Sequence, residues 1–310
     1  MNVLVTGASG YIGSLLSKKI LDAGYNLRFF DFDIVNNGHI YKIINHPKCK
    51  VYEGDLRDKV ITNKALTDCD IVIHLAGISD GRMGKKDPEI TKEINISATR
   101  YLIEKAKDLG VKRFLFASTI GVYGNKYTKP FEENFKLNPI DPYSESKAIG
   151  EEILYKSTNA NFITCSLRIA MVYGLSVNTR FDFLVNNLVK IAYKNGEVSV
   201  LGGQQKRPQI HVQDISDYFL KLITIDAALI SGKSFNAVSS NPSVNDLTQI
   251  IRRHLPKTKI NLLIARENED SFEMDGKQIN KELWIYPQYD IEKGIKELVF
   301  YLNQPKKDRL

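Results

Sequence analysis

Val3-Leu4-Val5-Thr6-Gly7-Ala8-Ser9-Gly10-Tyr11-Ile12-Gly13 decides how the rest of the chain reads. A short apolar run ends in three glycines set three apart, and a helix-length amphipathic stretch, 11–23, follows directly. Glycine permits the tight turn, lets an anion come close to the backbone, and lets the helix pack hard against the strand. The start of that helix presents free N–H groups and the positive end of its dipole. Strand, glycine loop and helix in this order predict a βαβ unit that opens with an anion seat.

Working outward, the second apolar run ends Phe29-Phe30-Asp31-Phe32-Asp33. A carboxylate at that point accepts hydrogen bonds from adenosine ribose hydroxyls and repels a 2′-phosphate, which favours NAD over NADP. Asp31 is the first choice and Asp33 the fallback, and no arginine follows directly. Further strands are predicted at 50–52, 71–74, 113–117 and 162–167, with helices at 89–109 and 143–156 between them. Strand–helix alternation with nearly all-apolar strands predicts an α/β fold, a Rossmann-type doubly wound parallel sheet. After about residue 170 the rhythm loosens, with helices predicted at 181–194, 245–254 and 291–301 and strands at 198–201, 209–212, 233–236 and 260–263. That implies a smaller mixed α/β C-terminal lobe. The expected division is 1–170 for the cofactor, with 207–240 returning to it, and 171–310 for the substrate, the two interleaved.

Composition agrees with a globular chain of 310 residues, 43% hydrophobic and 25% charged. The net charge of +7 is spread along the sequence, its densest run being Lys306-Lys307-Asp308-Arg309, and composition alone does not choose between nucleic acid and a small anion. Cys49, Cys69 and Cys165 lack metal-ligand or redox spacing, and no metal is expected. The N-terminus lacks a signal-peptide layout and no apolar run reaches membrane-spanning length, so a cytoplasmic protein with no membrane partner is expected.

Pro142-Tyr143-Ser144-Glu145-Ser146-Lys147 sets a tyrosine and a lysine four apart on one helix face. A free phenol is a poor base at neutral pH, and a neighbouring ammonium favours its phenolate. Phe114-Leu115-Phe116-Ala117-Ser118-Thr119 ends a strand at the expected cofactor edge, where a hydroxyl could hold a substrate oxygen beside the phenol.

These residues, with Gly54-Asp55-Leu56, His74-Leu75-Ala76-Gly77, Asn95, Val122-Tyr123-Gly124, Leu167-Arg168, Val172-Tyr173-Gly174 and Arg207…His211-Val212…Asp214, resemble the extended short-chain dehydrogenases/reductases that act on nucleotide sugars. The resemblance covers nearly the whole chain. It implies Tyr143 as general acid/base, Lys147 as its activator and Thr119 as the third catalytic residue. It implies a cofactor site of Gly7, Gly10, Tyr11, Ile12, Gly13, Asp31, Asp55, Leu56, Leu75, Ala76, Gly77, Asn95, Ser118, Tyr143 and Lys147. On the substrate side it implies Ser79, Thr119, Met171, Arg180, Asn186, Arg207 and Arg266, the last two as pyrophosphate cations because guanidinium forks match phosphate oxygens. His74, His211, Tyr123 and Tyr173 read as buried packing residues.

Two departures narrow the expectation. Ile120 and Gly121 stand where the family's 4,6-dehydratases carry Asp-Glu, and neither can transfer a proton. Met171 stands where many epimerases carry an asparagine that helps hold the substrate phosphates. The function expected is an NAD-dependent nucleotide-sugar epimerase oxidising a sugar hydroxyl transiently, at C4. The alternatives are a nucleotide-sugar dehydrogenase/reductase with net redox change, a dehydrogenase of apolar alcohols, and a non-catalytic dinucleotide-binding protein. No nucleic-acid partner is expected, because the dinucleotide and nucleotide sugar that the motifs imply are anions enough for the +7. A homodimer through the helices at 89–109 and 143–156 is also implied.

Overall fold

The computed structural model describes residues 1–34, 38–79, 81–126, 129–263 and 271–305. Eleven strands occur among them: β1 (Asn2–Thr6), β2 (Asn26–Asp31), β3 (Cys49–Glu53), β4 (Ile71–His74), β5 (Arg113–Thr119), β6 (Ile163–Ile169), β7 (Met171–Tyr173), β8 (Glu197–Leu201), β9 (Gln209–His211), β10 (Lys233–Ala237) and β11 (Lys259–Leu263). Seven form one sheet in the order β3-β2-β1-β4-β5-β6-β10, and every neighbouring pair is parallel. This is the Rossmann-type doubly wound sheet, and its order reverses between β1 and β4, where an open α/β sheet leaves a crevice.

Alternation along the strands splits the core in two, because successive side chains point to opposite faces. Val3, Val5, Phe29, Ile73 and Leu115 pack on one face, with Leu16 and Ile20 of the helix Tyr11–Asp22 and Ile215 and Phe219 of the helix Val212–Leu222. Leu4, Phe30, Val72, Phe114 and Phe116 pack on the other, with Leu102 and Ile103 of the helix Thr99–Asp108 and Leu154 of the helix Pro142–Ser157. A third cluster, including Val185, Val189, Val198, Leu247, Ile295 and Leu298, holds the smaller lobe of helices Leu184–Asn195, Val244–His254 and Ile291–Asn303 around the parallel pair β8–β11. Between β8 and the helix Val244–His254 the chain returns to the main sheet, where β10 pairs with β6.

Three elements differ from the sequence pattern. The helix predicted from Phe181 starts at Leu184, since Phe183 is extended (φ −74°, ψ 149°) and 181–182 form a turn. The strand predicted through Val212 stops at His211, whose ring accepts from Gln213 N and caps a helix that begins at Val212. The long helix predicted over 89–109 is α-helical at Pro88–Lys92, passes through a π-helical turn at Glu93–Ala98, and resumes at Thr99.

Candidate active site

A cleft of about 1010 Å³ runs past the C-terminal ends of β1, β2, β4, β5 and β6. Its floor is the glycine loop. Gly7 has φ +71°, and a Cβ there would lie 2.8 Å from Ala76 N; a Cβ on Gly13 would lie 2.0 Å from Gly7 O. Backbone therefore lies against backbone where Gly7 meets Ala76 and Gly13 meets Gly7, an approach that a side chain at either glycine would prevent.

Asp31 lines the cleft at the end of β2, and its carboxylate accepts from Ser9 N at 2.7 Å and from Phe32 N at 2.8 Å. Asp33 is exposed and absent from the lining, so the geometry separates the two carboxylates. Asp55 and Leu56 also line the cleft. The Arg57 guanidinium, at 2.7–3.1 Å, holds the Asp55 carboxyl below its usual range. Arg57 lines the cleft too and bonds Glu93; its lone charge carried no signal in the sequence. Leu75, Ala76 and Gly77 form the wall after β4. Asn95 stands behind that wall: its Oδ1 accepts from Ile78 N at 2.8 Å, and its Nδ2 donates to Ile78 O and Ser146 Oγ, both at 3.0 Å. It braces the wall against the helix Pro142–Ser157.

Thr119, Tyr143 and Lys147 open on the same cleft. Thr119 ends β5, and its hydroxyl accepts from Gly121 N at 3.2 Å. Tyr143 and Lys147 lie in the first turns of their helix, which Asp141 caps by accepting from Ser144 N at 3.0 Å. Lys147 is 5% exposed, with Nζ over the Phe116 ring at 4.8 Å, and burial pushes its ammonium down to about 8. Among the described residues no carboxylate pairs with it. Its charge is thus left to act on whatever occupies the cleft. Ser118 borders the cleft, but its hydroxyl donates back to Glu151, a buried carboxylate that also takes a bidentate Arg168 at 2.8–3.1 Å. Ile120 and Gly121 contribute apolar surface.

His74 and His211 both lie off the cleft lining. His74 is fully buried between the Thr6 and Thr99 hydroxyls, at 2.6 and 2.9 Å, and burial, aided by the Lys147 charge, pushes it down to about 3. His211 stacks on Tyr289 at 4.5 Å. Tyr123 and Tyr173 are buried, and their hydroxyls donate to Asn236 Oδ1 and Tyr289 O.

On the opposite wall, Ser79, Met171 and Arg180 line the cleft. Arg180 donates to Ser79 Oγ at 2.8 Å and grips Asp182 at 2.5 and 3.0 Å. Asn186 does not reach the cleft. It is fully buried, accepting from Gly174 N at 2.9 Å and donating to Arg180 O at 2.8 Å and Tyr11 OH at 3.0 Å. Its place is behind the wall, fixing the backbone that carries Arg180. Arg207 is also off the lining, with its guanidinium over the Phe272 ring at 5.5 Å, and Phe272 itself faces the cleft. Arg266 lies outside the described residues. Phe131, Ile140, Asp182 and Phe272 line the cleft without having been singled out, because isolated apolar or acidic residues in loops carry no pattern.

The sequence model of the NAD-dependent epimerase/dehydratase family matches residues 3–237. The chain belongs to that family. It is an enzyme with NAD as its cofactor. The UDP-glucose 4-epimerase of Lactobacillus helveticus is 30% identical over 235 residues, 70% of each chain. The crystal structure of UDP-glucuronic acid 4-epimerase from Bacillus cereus, in complex with UDP-glucuronic acid and NAD, superposes with a TM-score of 0.87 at 25% identity, covering 98% of this chain and 99% of that one. A dTDP-glucose 4,6-dehydratase from Streptomyces venezuelae shares the fold at a TM-score of 0.87 and 22% identity, covering 100% of this chain and 99% of that one.

This family member has a cradle that fits its cofactor: the positions at Gly7 and Gly13 exclude any side chain, and the Asp31 carboxylate stands at the end of the neighbouring strand. Among the described residues, no group of three or more metal-ligating side chains occurs, and no helix is long and apolar enough to cross a membrane.

Proposed function

We propose that this enzyme is a nucleotide-sugar epimerase that inverts C4 through transient oxidation. The observation that carries the proposal is the convergence on the glycine-floored cleft of Thr119, Tyr143 and a buried Lys147 that has no carboxylate partner among the described residues. The names of the relatives support the substrate class. The Tyr143 phenolate takes the proton of the C4 hydroxyl, and Thr119 donates a hydrogen bond to the same oxygen. Lys147, kept near neutral pH by burial, stabilises the phenolate. NAD, held on the glycine loop with Asp31 at its adenosine ribose, would supply a reversible hydride acceptor for C4, and turning of the keto sugar in the cleft would present its other face for the hydride's return. Tyr143 then returns its proton to the oxygen, and no net oxidation results. Ile120 and Gly121 cannot transfer protons, so elimination of water has no acid and base beside Thr119.

Residues 1–170, with 207–240 returning to them, would hold the cofactor and 171–310 the substrate, with Arg207 and Arg266 as pyrophosphate cations beside Arg180 and with Met171 and Ser79 as wall. Asn186 would act through Arg180. The outer faces of the helices Pro88–Lys92, Thr99–Asp108 and Pro142–Ser157 would carry a homodimer contact, measurable by light scattering.

The test is incubation with UDP-glucose and UDP-glucuronate, following the C4 epimers by NMR and the nicotinamide by absorbance. Epimer formation without accumulation of NADH is expected; stoichiometric NADH would make the enzyme a dehydrogenase instead. Tyr143→Phe should lower turnover by roughly 10²–10⁴-fold while retaining NAD, and full activity in that variant would sink the mechanism.

A further inference from the structure

Met171, Gln209 and Ser240 stand in one row across three neighbouring segments. Met171 and Gln209 are register partners in the parallel pair β7–β9. Gln209 and Ser240 form an antiparallel bridge, with Gln209 N donating to Ser240 O at 2.8 Å and Ser240 N to Gln209 O at 3.3 Å. Partners in such pairs direct their side chains to the same face. Met171 lines the cleft, so that face is the one turned toward it.

Gln209 is fully buried just behind Met171. Its Nε2 donates to Arg207 O at 3.3 Å and lies 3.7 Å from Met171 Sδ. The Arg207 carbonyl can only accept, so the nitrogen must face it and the amide oxygen must face away. That Oε1, and the Oγ of its bridge partner Ser240, are buried without a partner among the described residues. Native proteins rarely leave a buried acceptor unmatched, and where they do the group commonly has a task. An unmatched amide oxygen needs a donor. Phosphate oxygens, fully ionised, donate nothing; a hydroxyl does. An acceptor beside a serine hydroxyl, which both donates and accepts, matches the adjacent hydroxyls of a ribose.

We propose that Gln209 and Ser240 read the ribose of the substrate nucleotide, Gln209 taking the 2′-hydroxyl, so that the enzyme selects ribonucleotide sugars over 2′-deoxyribonucleotide sugars. Met171 covers the pair until ligand enters; its unbranched side chain, with three rotatable bonds, can swing aside. The inference rests on the nucleotide-sugar reading above and goes further by naming the nucleotide.

UDP and dUDP, which differ only in the 2′-hydroxyl, are the probes, titrated calorimetrically into NAD-saturated protein. UDP should bind wild type roughly tenfold more tightly than dUDP, the size of one hydrogen bond. In Gln209→Leu the two should bind alike, with the loss falling on UDP. Any disturbance of Arg207 would weaken both probes together and leave their ratio unchanged. Ser240→Ala, a milder change, should narrow the ratio without abolishing it. Equal binding of UDP and dUDP by wild type overturns this proposal alone, as does a full tenfold ratio in Gln209→Leu. If wild type binds neither, the nucleotide-sugar reading falls and this one with it.

Discussion

Replacing Lys147 with methionine should stabilise the nucleotide-free protein while abolishing turnover. Lys147 is 5% exposed and lacks a carboxylate partner among the described residues, so its ammonium lies well below the ordinary value of 10.5, at about 8. At about 1.4 kcal/mol per pH unit, keeping it protonated at pH 7 costs about 3 kcal/mol. The Phe116 ring beneath Nζ offsets part of that cost for the charged form, about 1 kcal/mol. Methionine has similar length and no charge, so a net gain of about 2 kcal/mol is expected at neutral pH.

The pH dependence gives a sharper test. Between about 8 and 10.5 the unfolded chain holds a proton that the folded chain does not. Wild-type stability should therefore fall as pH drops through that window, and the Lys147 contribution should be flat below it. Urea unfolding of both proteins from pH 7 to 10.5, compared at constant m-value, should show the advantage of Lys147→Met shrinking toward zero as pH rises. A variant less stable than wild type at pH 7, or an advantage independent of pH, would refute an unpaired buried charge at this position.

Two further outcomes follow from the same geometry. Asp31→Asn keeps an acceptor for Ser9 N but removes the charge, so NAD affinity should fall by roughly tenfold while NADP is weakened less; calorimetry with both dinucleotides reads this, and an unchanged preference would remove Asp31 from its role. Arg168→Met strands Glu151, a carboxylate 7% exposed, and should cost about 3–5 kcal/mol in urea unfolding, whereas Arg168→Met combined with Glu151→Leu should cost clearly less; equal losses would mean that packing, not charge, sets the penalty.

Much of the fold was legible because it rests on local rules. Val3, Leu4 and Val5 announce a strand buried on both faces, and Gly7, Gly10 and Gly13 announce the turn that only residues without Cβ can make. Of the boundaries that misread, Phe183 is one where a distant contact overrules local preference, and Val212 one where a neighbouring side chain does. Phe183 stays extended while its ring stacks on Tyr11, and Val212 turns into a helix because His211 caps it.

The candidate site divides along the same line. Residue types and spacing raised Tyr143, Lys147 and the glycine loop as candidates, and the family resemblance singled out Thr119 and gave the triad its roles; a strand end and a helix turn fix where such side chains point. Spacing could not separate Asp31 from Asp33, put Asn186 behind the wall, or turn the Ser118 hydroxyl away to Glu151. Those outcomes depend on partners far along the chain: Ser9 for Asp31, Tyr11 for Asn186, Arg168 for Glu151. Hydrogen bonds between residues 17, 22 or 175 positions apart leave no periodic trace in the sequence. The chain therefore carried its chemistry in local patterns, while packing decided which of those groups meet the cleft and which are consumed in holding it open.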